Sequence, residues 1–175
     1  MSSLIPSGSA SGTGSMTLAA PVTNSNQTAT LPDATGTVMV SGNMPAFSAY
    51  QSTAQSISAT LVKLTMDTKE FDTANCYSTT NYRFTPLVAG YYQVNGNLSF
   101  ASSNSSTLIS LYKNGVRFKD GGLGGTLNSI SSVLSTLVYL NGSTDYIEVY
   151  GYQSAGFPIN TVAGSYFQAI LVRAA

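Results

Sequence analysis

Two groups of carboxylates in this sequence have residue types that could support chemistry, namely cation binding and glycan hydrolysis. The denser group is formed by Asp67, Glu70 and Asp72, and hard cations such as calcium bind several carboxylate oxygens at once. The spacing of this group matches no calcium-binding loop, and Lys63 and Lys69 dilute its negative charge. We therefore predict a solvated turn here, with no bound metal and no other cofactor.

The second group is the pair Asp145 and Glu148, which could be proposed as the two acids of a glycoside hydrolase. Side chains three positions apart on a strand point to opposite faces, so this pair would not converge on one bond. The sequence contains no histidine, the usual general base of serine and cysteine hydrolases. Cys76 is the only cysteine, which excludes an intramolecular disulfide and predicts a small, partly buried side chain. We predict that the protein is not an enzyme.

A glycine-rich segment at residues 121–125 lacks the Gly-Lys-Ser/Thr ending and the following helix of a phosphate-binding loop. The whole stretch 120–129 is too rich in glycine for a regular strand and predicts an exposed loop. Its first residues, Asp120, Gly121, Gly122 and Leu123, are the candidate recognition residues. A second candidate loop is 153–164.

Composition limits the classes of partner. Seven Lys and Arg balance seven Asp and Glu, and charged residues make up only 8% of the chain, so no basic patch for nucleic acid is expected. Such low charge beside 43% hydrophobic residues is typical of a protein that functions within an assembly. No run of about 18 apolar residues predicts membrane insertion, and the N-terminus does not resemble a signal peptide. We therefore expect synthesis in a cytoplasm.

The elements that must position these residues are predicted to be strands, because no segment shows helical periodicity with caps. The organising stretch is 84–100, in which Tyr92, Val94, Leu98 and Phe100 alternate with polar residues. Asn114-Gly115 is the strongest hairpin signal, joining a strand at 106–113 to a return strand at 116–119. Residues 56–66 are predicted as one strand and 67–81 as a loop-rich connection.

Two predicted strands are apolar on both faces. Val133, Leu137 and Tyr139 alternate with other apolar residues in 133–140, and 165–173 shows the same pattern. A strand covered on both sides lies between the core and something else, which favours an oligomer. In the first predicted strand after residue 45, Phe47 and Tyr50 are predicted to anchor the core.

Several motifs resemble the globular head domain of complement C1q. Phe84, Gly90 and Tyr92, with Asp72 and Tyr77 upstream, follow the signature of that family, and similar segments follow in order at 110–115, 131–152 and 165–172. The resemblance covers roughly residues 45–175. It implies an all-β jelly-roll β-sandwich of the type shared with tumour necrosis factor, used for recognition or assembly.

The resemblance also implies homotrimers, with residues near Asn95, Val133 and Tyr166 projecting toward the threefold axis. The alternative for Val133 and Tyr166 is that they pack inside one subunit or face water. The polar residues Gln93, Asn95 and Asn97 could instead line a wet axial seam. Aliphatic and aromatic groups are favoured in buried interface centres, so Val133 and Tyr166 are the stronger candidates.

The N-terminal segment differs from the rest of the chain. Residues 1–15 are rich in Ser and Gly, and residues 16–40 predict short strands between tight turns. The segment TLPDATGTVMVSG, residues 30–42, is similar to linkers that precede C-terminal domains in tailed-bacteriophage fibre and head-surface proteins. We predict an extended N-terminal β arm at 1–44 and a jelly-roll domain at 45–175.

The resulting hypothesis is a structural protein of the bacteriophage virion, a homotrimeric capsid decoration or cement protein. Its arm, residues 1–44, would intertwine with its mates and attach to the major capsid protein or another virion component. The alternative is a short fibre tip or receptor-binding protein that recognises a host cell-surface glycan or protein through its loops.

Overall fold

The computed structural model describes residues 44–101, 106–122 and 130–175 without a break, and residues 11–15, 17, 19, 22, 24–26, 28, 39, 40 and 42 before them. The chain divides into two compact units, Met1–Thr35 and Gly36–Ala175. Most of the strands and turns predicted for residues 16–40, and Leu123 of the candidate recognition loop, lie outside the described residues. Within the described part, no helix has the length and apolar character needed to span a membrane.

The described residues of the second unit form thirteen strands and no α-helix. In chain order they are β1 (Ala46–Tyr50), β2 (Ser56–Ile57), β3 (Val62–Lys63), β4 (Thr68–Asp72), β5 (Tyr77–Ser78), β6 (Arg83–Phe84), β7 (Ala89–Phe100), β8 (Thr107–Lys113), β9 (Val116–Asp120), β10 (Ile130–Asn141), β11 (Ile147–Gln153), β12 (Ile159–Asn160) and β13 (Tyr166–Ala174). The nearly all-β prediction is therefore confirmed.

Two antiparallel sheets form the layers of a jelly-roll sandwich, as the resemblance implied. The five-stranded sheet has the order β10-β7-β13-β1-β4, and the six-stranded sheet has the order β5-β6-β11-β8-β9, with β3 also paired to β11. Strands β2 and β12 form a separate short ladder. Apart from the consecutive pairs β5-β6 and β8-β9, neighbours in these sheets are distant in sequence, which is typical of Greek-key connections.

The alternation of β7 builds one wall of the core, as predicted. Tyr92, Val94, Leu98 and Phe100 are buried, while the polar residues between them are partly exposed on the other side. Burial of such side chains supplies the main driving force for folding, about 1.5–3 kcal/mol for each large apolar group.

Aromatic rings fill the centre between the sheets. Phe47 stacks on Tyr77 at 4.7 Å and on Phe84 at 4.5 Å between ring centroids, and it meets Phe167 edge-on at 5.0 Å. Tyr50 was predicted to join this core but is exposed. It lies three positions from Phe47, and a strand of period two points such residues to opposite faces.

Two strand predictions were wrong. Residues 56–66 form two short strands rather than one, because β2 pairs with β12 whereas β3 pairs with β11. The connection 67–81 contains β4 and β5. Strand β4 has the sequence TKEFD and lies at a sheet edge, where most of its side chains remain exposed and no apolar alternation is required.

The predicted hairpin at Asn114-Gly115 is confirmed. Both residues have positive φ, 53° and 77°, as a type I′ turn between antiparallel strands requires. The Asn114 side chain adds support, because its Oδ1 accepts a hydrogen bond of 2.9 Å from the backbone N–H of Tyr146. The hairpin thereby fixes β8 and β9 against the start of β11.

Candidate functional site

The outward side of the five-stranded sheet carries the three residues that the resemblance assigned to an interface. We call this surface the Asn95 face. It consists of the outward side chains of β7, β10 and β13 together with Tyr50 of β1. Its members include Tyr91, Gln93, Asn95, Asn97, Val133, Ser135, Leu137, Tyr139, Tyr166, Gln168, Ile170, Val172, Arg173 and Tyr50, and Arg173 is paired with Tyr91.

The register of the sheet places the predicted residues close together. Asn97 is paired with Val133 on one side and with Tyr166 on the other. Asn95 occupies the next outward position of β7, between Ser135 and Gln168. Since adjacent strands are about 4.8 Å apart, Val133 and Tyr166 lie within about 10 Å of each other. The assignment of Asn95, Val133 and Tyr166 to a trimer interface stays a prediction.

One end of the Asn95 face is a hydrogen-bonded polar ladder. Gln93 Nε2 donates to Asn95 Oδ1 and to Ser135 Oγ, both at 3.1 Å, and Ser135 Oγ donates to Asn95 Oδ1 at 3.0 Å. Asn97 Nδ2 donates to Ser99 Oγ at 3.0 Å. These polar groups satisfy one another on the surface, so covering them would leave few unpaired donors or acceptors.

The other end of the Asn95 face is apolar and exposed. Leu137 is 52% exposed and Ile170 is 47% exposed, and the rings of Tyr91 and Tyr139 lie 5.5 Å apart. Val133, which is 54% exposed, lies apart from this group, beside Asn97 at the polar end. A contiguous exposed apolar patch on a soluble domain marks an interaction site more often than a free surface.

A cavity of about 460 Å³ opens at the edge of the Asn95 face where β13 meets β1. Its lining residues are Ser48, Tyr50, Glu70, Gly164, Tyr166 and Gln168. Tyr166 belongs to both the cavity and the Asn95 face. The surface around Tyr166 is therefore concave and has room for a side chain from a partner.

The free edge of β10, which borders the Asn95 face, is closed by the other sheet. Gly122 N–H donates to the carbonyl of Val133 at 2.9 Å, Lys119 Nζ to that of Leu137 at 3.0 Å, and Lys113 Nζ to that of Tyr139 at 2.8 Å. An edge with occupied carbonyls is a poor template for an added strand. Addition of a strand at this edge of the five-stranded sheet is therefore disfavoured.

The candidate recognition residues have structural roles in the described part of the loop. Asp120 ends β9 rather than starting the loop, and it accepts hydrogen bonds from Arg117 and from Ser110 Oγ. The Arg117 hydrogen bond holds the pKa of Asp120 below its usual value. Gly121 N–H donates to the carbonyl of Ile109, so Gly121 and Gly122 join the two sheets.

The carboxylates are engaged separately. Asp67 accepts from the N–H and Oγ of Ser52, both at 2.8 Å, and Asp72 accepts from the N–H groups of Cys76 and Tyr77. Burial raises the pKa of Asp67, but the Ser52 hydrogen bonds outweigh it and leave that pKa lowered. Within the described ranges, no group of three His, Cys, Asp or Glu residues could hold a metal.

Asp145 and Glu148 also have different partners. Asp145 accepts from Asn114 Nδ2 and pairs with Lys113, and the Asn114 hydrogen bond lowers its pKa. Glu148 is buried and pairs with Lys63 at 2.5 Å and with Arg83 at 2.9 Å. The prediction that both residues lie on one strand was wrong, because Asp145 precedes β11 and only Glu148 lies on it.

The cluster of Glu148 with Lys63 and Arg83 was not predicted from the sequence. It lies on the outward side of β11, where Tyr150 stacks on Tyr112 of β8 with ring centroids 3.8 Å apart. The alternation of Tyr146, Glu148, Tyr150 and Tyr152 was visible in the sequence. Its cationic partners come from β3 and β6, and only the topology shows that these strands flank β11.

The fold is similar to that of several solved domains. The globular domain of zebrafish complement 1qA matches 75% of this chain and 98% of its own length, with 16% identity and a TM-score of 0.59. Murine APRIL matches 74% of this chain and 99% of its own length, with 10% identity and a TM-score of 0.54. Eiger, a tumour necrosis factor from S. frugiperda, matches 75% of this chain and 93% of its own length, with 12% identity and a TM-score of 0.53.

Comparison by sequence finds no such relatives. No protein-family model matches the chain, and no curated protein matches it. At these identities the structural likeness shows the fold alone, the jelly roll of C1q and tumour necrosis factor domains.

Proposed function

We propose that this jelly-roll chain is a homotrimeric structural protein of a bacteriophage virion, which decorates and stabilises the capsid. The observation that carries the proposal is the Asn95 face, an exposed surface with an apolar end and a self-satisfied polar end. Three copies related by a threefold axis would bury this face, with Val133 and Tyr166 near the axis. Burial of the apolar end would supply the association energy.

The distribution of charge supports association through this face. Strands β7 and β10 contain no charged residue, and β13 contains only Arg173. The cores of protein interfaces are depleted in charged residues, because each desolvated charge without a partner opposes binding. The closed edge of β10 adds support, since it disfavours strand addition as the alternative mode of contact.

The assignment to the virion rests on the N-terminal segment. Residues 30–42 are similar to linkers in tailed-bacteriophage fibre and head-surface proteins. In this proposal the arm, residues 1–44, attaches to the major capsid protein, and residues 45–175 form the exposed knob. The low charge of the chain, 8%, suits a protein that functions within such an assembly.

A short fibre tip that recognises the host surface is the second candidate. It is favoured by Phe157, which is 64% exposed in the loop between β11 and β12. Exposed aromatic side chains suit the contact of loops with glycans or proteins. This candidate keeps the trimer but places it on a fibre.

The experiment has two arms. Native mass spectrometry of the full chain should give the mass of a trimer, and a monomer at all accessible concentrations would overturn the oligomer. Quantitative mass spectrometry of the purified particle should give a copy number comparable with that of the major capsid protein. A far smaller number would favour the fibre tip, and absence of the chain from the particle would overturn both virion assignments.

A further inference from the structure

We propose that the outward side of the six-stranded sheet is a binding site for a neutral saccharide. We call this surface the Tyr152 face. Its members lie on β3, β6, β8, β9 and β11 and just before β3 and β11, and they are Leu61, Lys63, Arg83, Leu108, Ser110, Tyr112, Arg117, Asp120, Tyr146, Glu148, Tyr150 and Tyr152. The Tyr152 face belongs to the other sheet from the Asn95 face, so this proposal does not depend on the oligomer.

The Tyr152 face concentrates residues that are scarce in the chain. Lys63, Arg83, Arg117, Asp120 and Glu148 are five of the fourteen Lys, Arg, Asp and Glu residues, the sum of seven cationic and seven anionic ones. Four of the eleven tyrosines also lie there. Lys, Asp and Glu are depleted in protein interfaces whereas Arg and Tyr are enriched there, so the choice of a small polar ligand rests on the cavity and on the ion pairs of this face.

A cavity provides the site itself. Its volume is about 240 Å³, and it is lined by Leu61, Leu108, Arg117 and Tyr152. Tyr152 and Leu108 are paired across β11 and β8, so an aromatic ring and an aliphatic side chain lie side by side. A pyranose ring has one face of C–H groups and a rim of hydroxyls, and it fits an apolar wall flanked by a hydrogen-bond donor.

Arg117 is positioned to be that donor. Its Nε and Nη2 donate to the carboxylate of Asp120 at 2.9 and 2.8 Å, which fixes the plane of the guanidinium group. Nη1 takes no part in this pair and keeps two N–H donors. Asp120 is fixed in turn by Ser110 Oγ at 2.7 Å. A preorganised planar donor beside an aromatic ring is suited to hydroxyl groups, because little side-chain entropy remains to be lost.

Every charged side chain of the Tyr152 face is part of an ion pair, three cations with two carboxylates. Glu148 is shared by Lys63 and Arg83, and Asp120 is paired with Arg117. Neither carboxylate is left without a cation, so a strongly anionic or cationic ligand would have to compete with existing ion pairs. A neutral ligand that offers many hydroxyls complements this surface better.

The neighbouring tyrosines indicate more than one sugar unit. Tyr150 is two residues from Tyr152 on the same side of β11, which corresponds to about 7 Å along the strand. Its ring is stacked on Tyr112, and its hydroxyl donates to Glu148 Oε2 at 3.5 Å. The Tyr152 face therefore continues from the cavity as a rigid aromatic platform of the length of an oligosaccharide.

The test uses the full chain and a panel of immobilised neutral oligosaccharides built from glucose, galactose, mannose and N-acetylglucosamine. The strongest binder is then titrated by calorimetry against the wild type, Tyr152→Ala and Arg117→Ala. We expect each substitution to weaken binding at least about tenfold, as for a central contact. Phe71→Ala is the matched control, because it removes an aromatic ring that is 47% exposed on β4, in the other sheet, and should change binding less than about twofold.

Three outcomes would overturn the proposal. The first is that no oligosaccharide of the panel binds the wild type. The second is that binding occurs but is unchanged in both Tyr152→Ala and Arg117→Ala. The third is that Tyr152→Ala lowers the mass of the assembly in native mass spectrometry, which would show that the face contacts another protein chain. Calorimetry reports binding per chain, so a monomeric wild type would refute the trimer without affecting this result.

Discussion

The two outer faces of the sandwich are built from the same kind of strand but differ in chemistry. The Asn95 face has uncharged strands at its centre and exposed aliphatic side chains such as Leu137 and Ile170. The Tyr152 face carries paired charges and stacked tyrosine rings. A surface that a partner chain covers must lose its water cheaply, whereas a surface that binds a small polar ligand must remain hydrated and rigid. This contrast is the basis for proposing one face for assembly and the other for a ligand.

The largest expected effect tests the assembly side. Leu137→Asp places a charge at the apolar end of the Asn95 face, and burial without a cationic partner should weaken trimer association by about 3 kcal/mol or more per contact. Sedimentation equilibrium should then give a monomer. Val116→Asp is the matched control, since Val116 is 68% exposed on β9, in the other sheet. An unchanged trimer in Leu137→Asp would remove the distinction between the two faces.

The next effect tests the ligand side. Glu148→Gln removes the buried carboxylate that Lys63 and Arg83 share, and leaves both cations facing a neutral amide. Because these cations are about one-third exposed and remain hydrated, we expect a loss of about 1–2 kcal/mol in the free energy of unfolding. Urea denaturation of the wild type and of Glu148→Gln measures this difference in the free energy of unfolding. The trimer mass should not change, and dissociation would contradict the separation of the two faces.

Acid should act on the fold and not on the Asn95 face. The pKa values of Asp67, Asp120 and Asp145 are lowered in the folded chain. Their stabilisation is complete above the unfolded-state pKa of about 3.9 and is lost as the pH falls through and below that value. Urea denaturation at pH 7 and pH 3 should show lower stability at pH 3. Sedimentation equilibrium from pH 8 to pH 5 should give a constant trimer mass. Dissociation within that range would contradict the expectation that acid does not act on the Asn95 face.

The smallest effect concerns the polar ladder. Asn95→Ala removes the acceptor of Gln93 and Ser135, which lie on a partly hydrated surface, so the free energy of unfolding should fall by no more than about 1 kcal/mol. Thermal unfolding measures this change. Trimer association should weaken only slightly, because the ladder contributes little apolar area. A loss as large as that of Leu137→Asp would move the centre of the interface to the polar end.

The sequence was informative where a signal was local. Period-two alternation predicted β7, and Asn114-Gly115 predicted the hairpin, because both depend on neighbouring residues. Strand β4 was missed because its sequence carries no apolar pattern, and its pairing with β1 decides its conformation. Exposed apolar residues on β10 and β13 were also predicted, since alternation identifies two-sided strands without their neighbours.

The Glu148 cluster shows what a single sequence does not contain. Lys63 lies 85 residues before Glu148 and Arg83 lies 65 residues before it. Each of these contacts depends on which strands flank β11, and that order is a property of the whole topology. The proposed saccharide site was not predicted from the sequence for the same reason, since Leu61, Arg117 and Tyr152 belong to three separate segments.

The closed edge of β10 has a consequence for how growth of an assembly ends. A chain produced in many copies at high concentration risks endless addition of strands, which leads to filaments or aggregates. Lys113, Lys119 and Gly122 occupy the carbonyls that such addition would use. Addition of a strand is therefore disfavoured at this edge of the five-stranded sheet. Two lysines and a glycine thus remove one of the edges from which an open-ended polymer could grow.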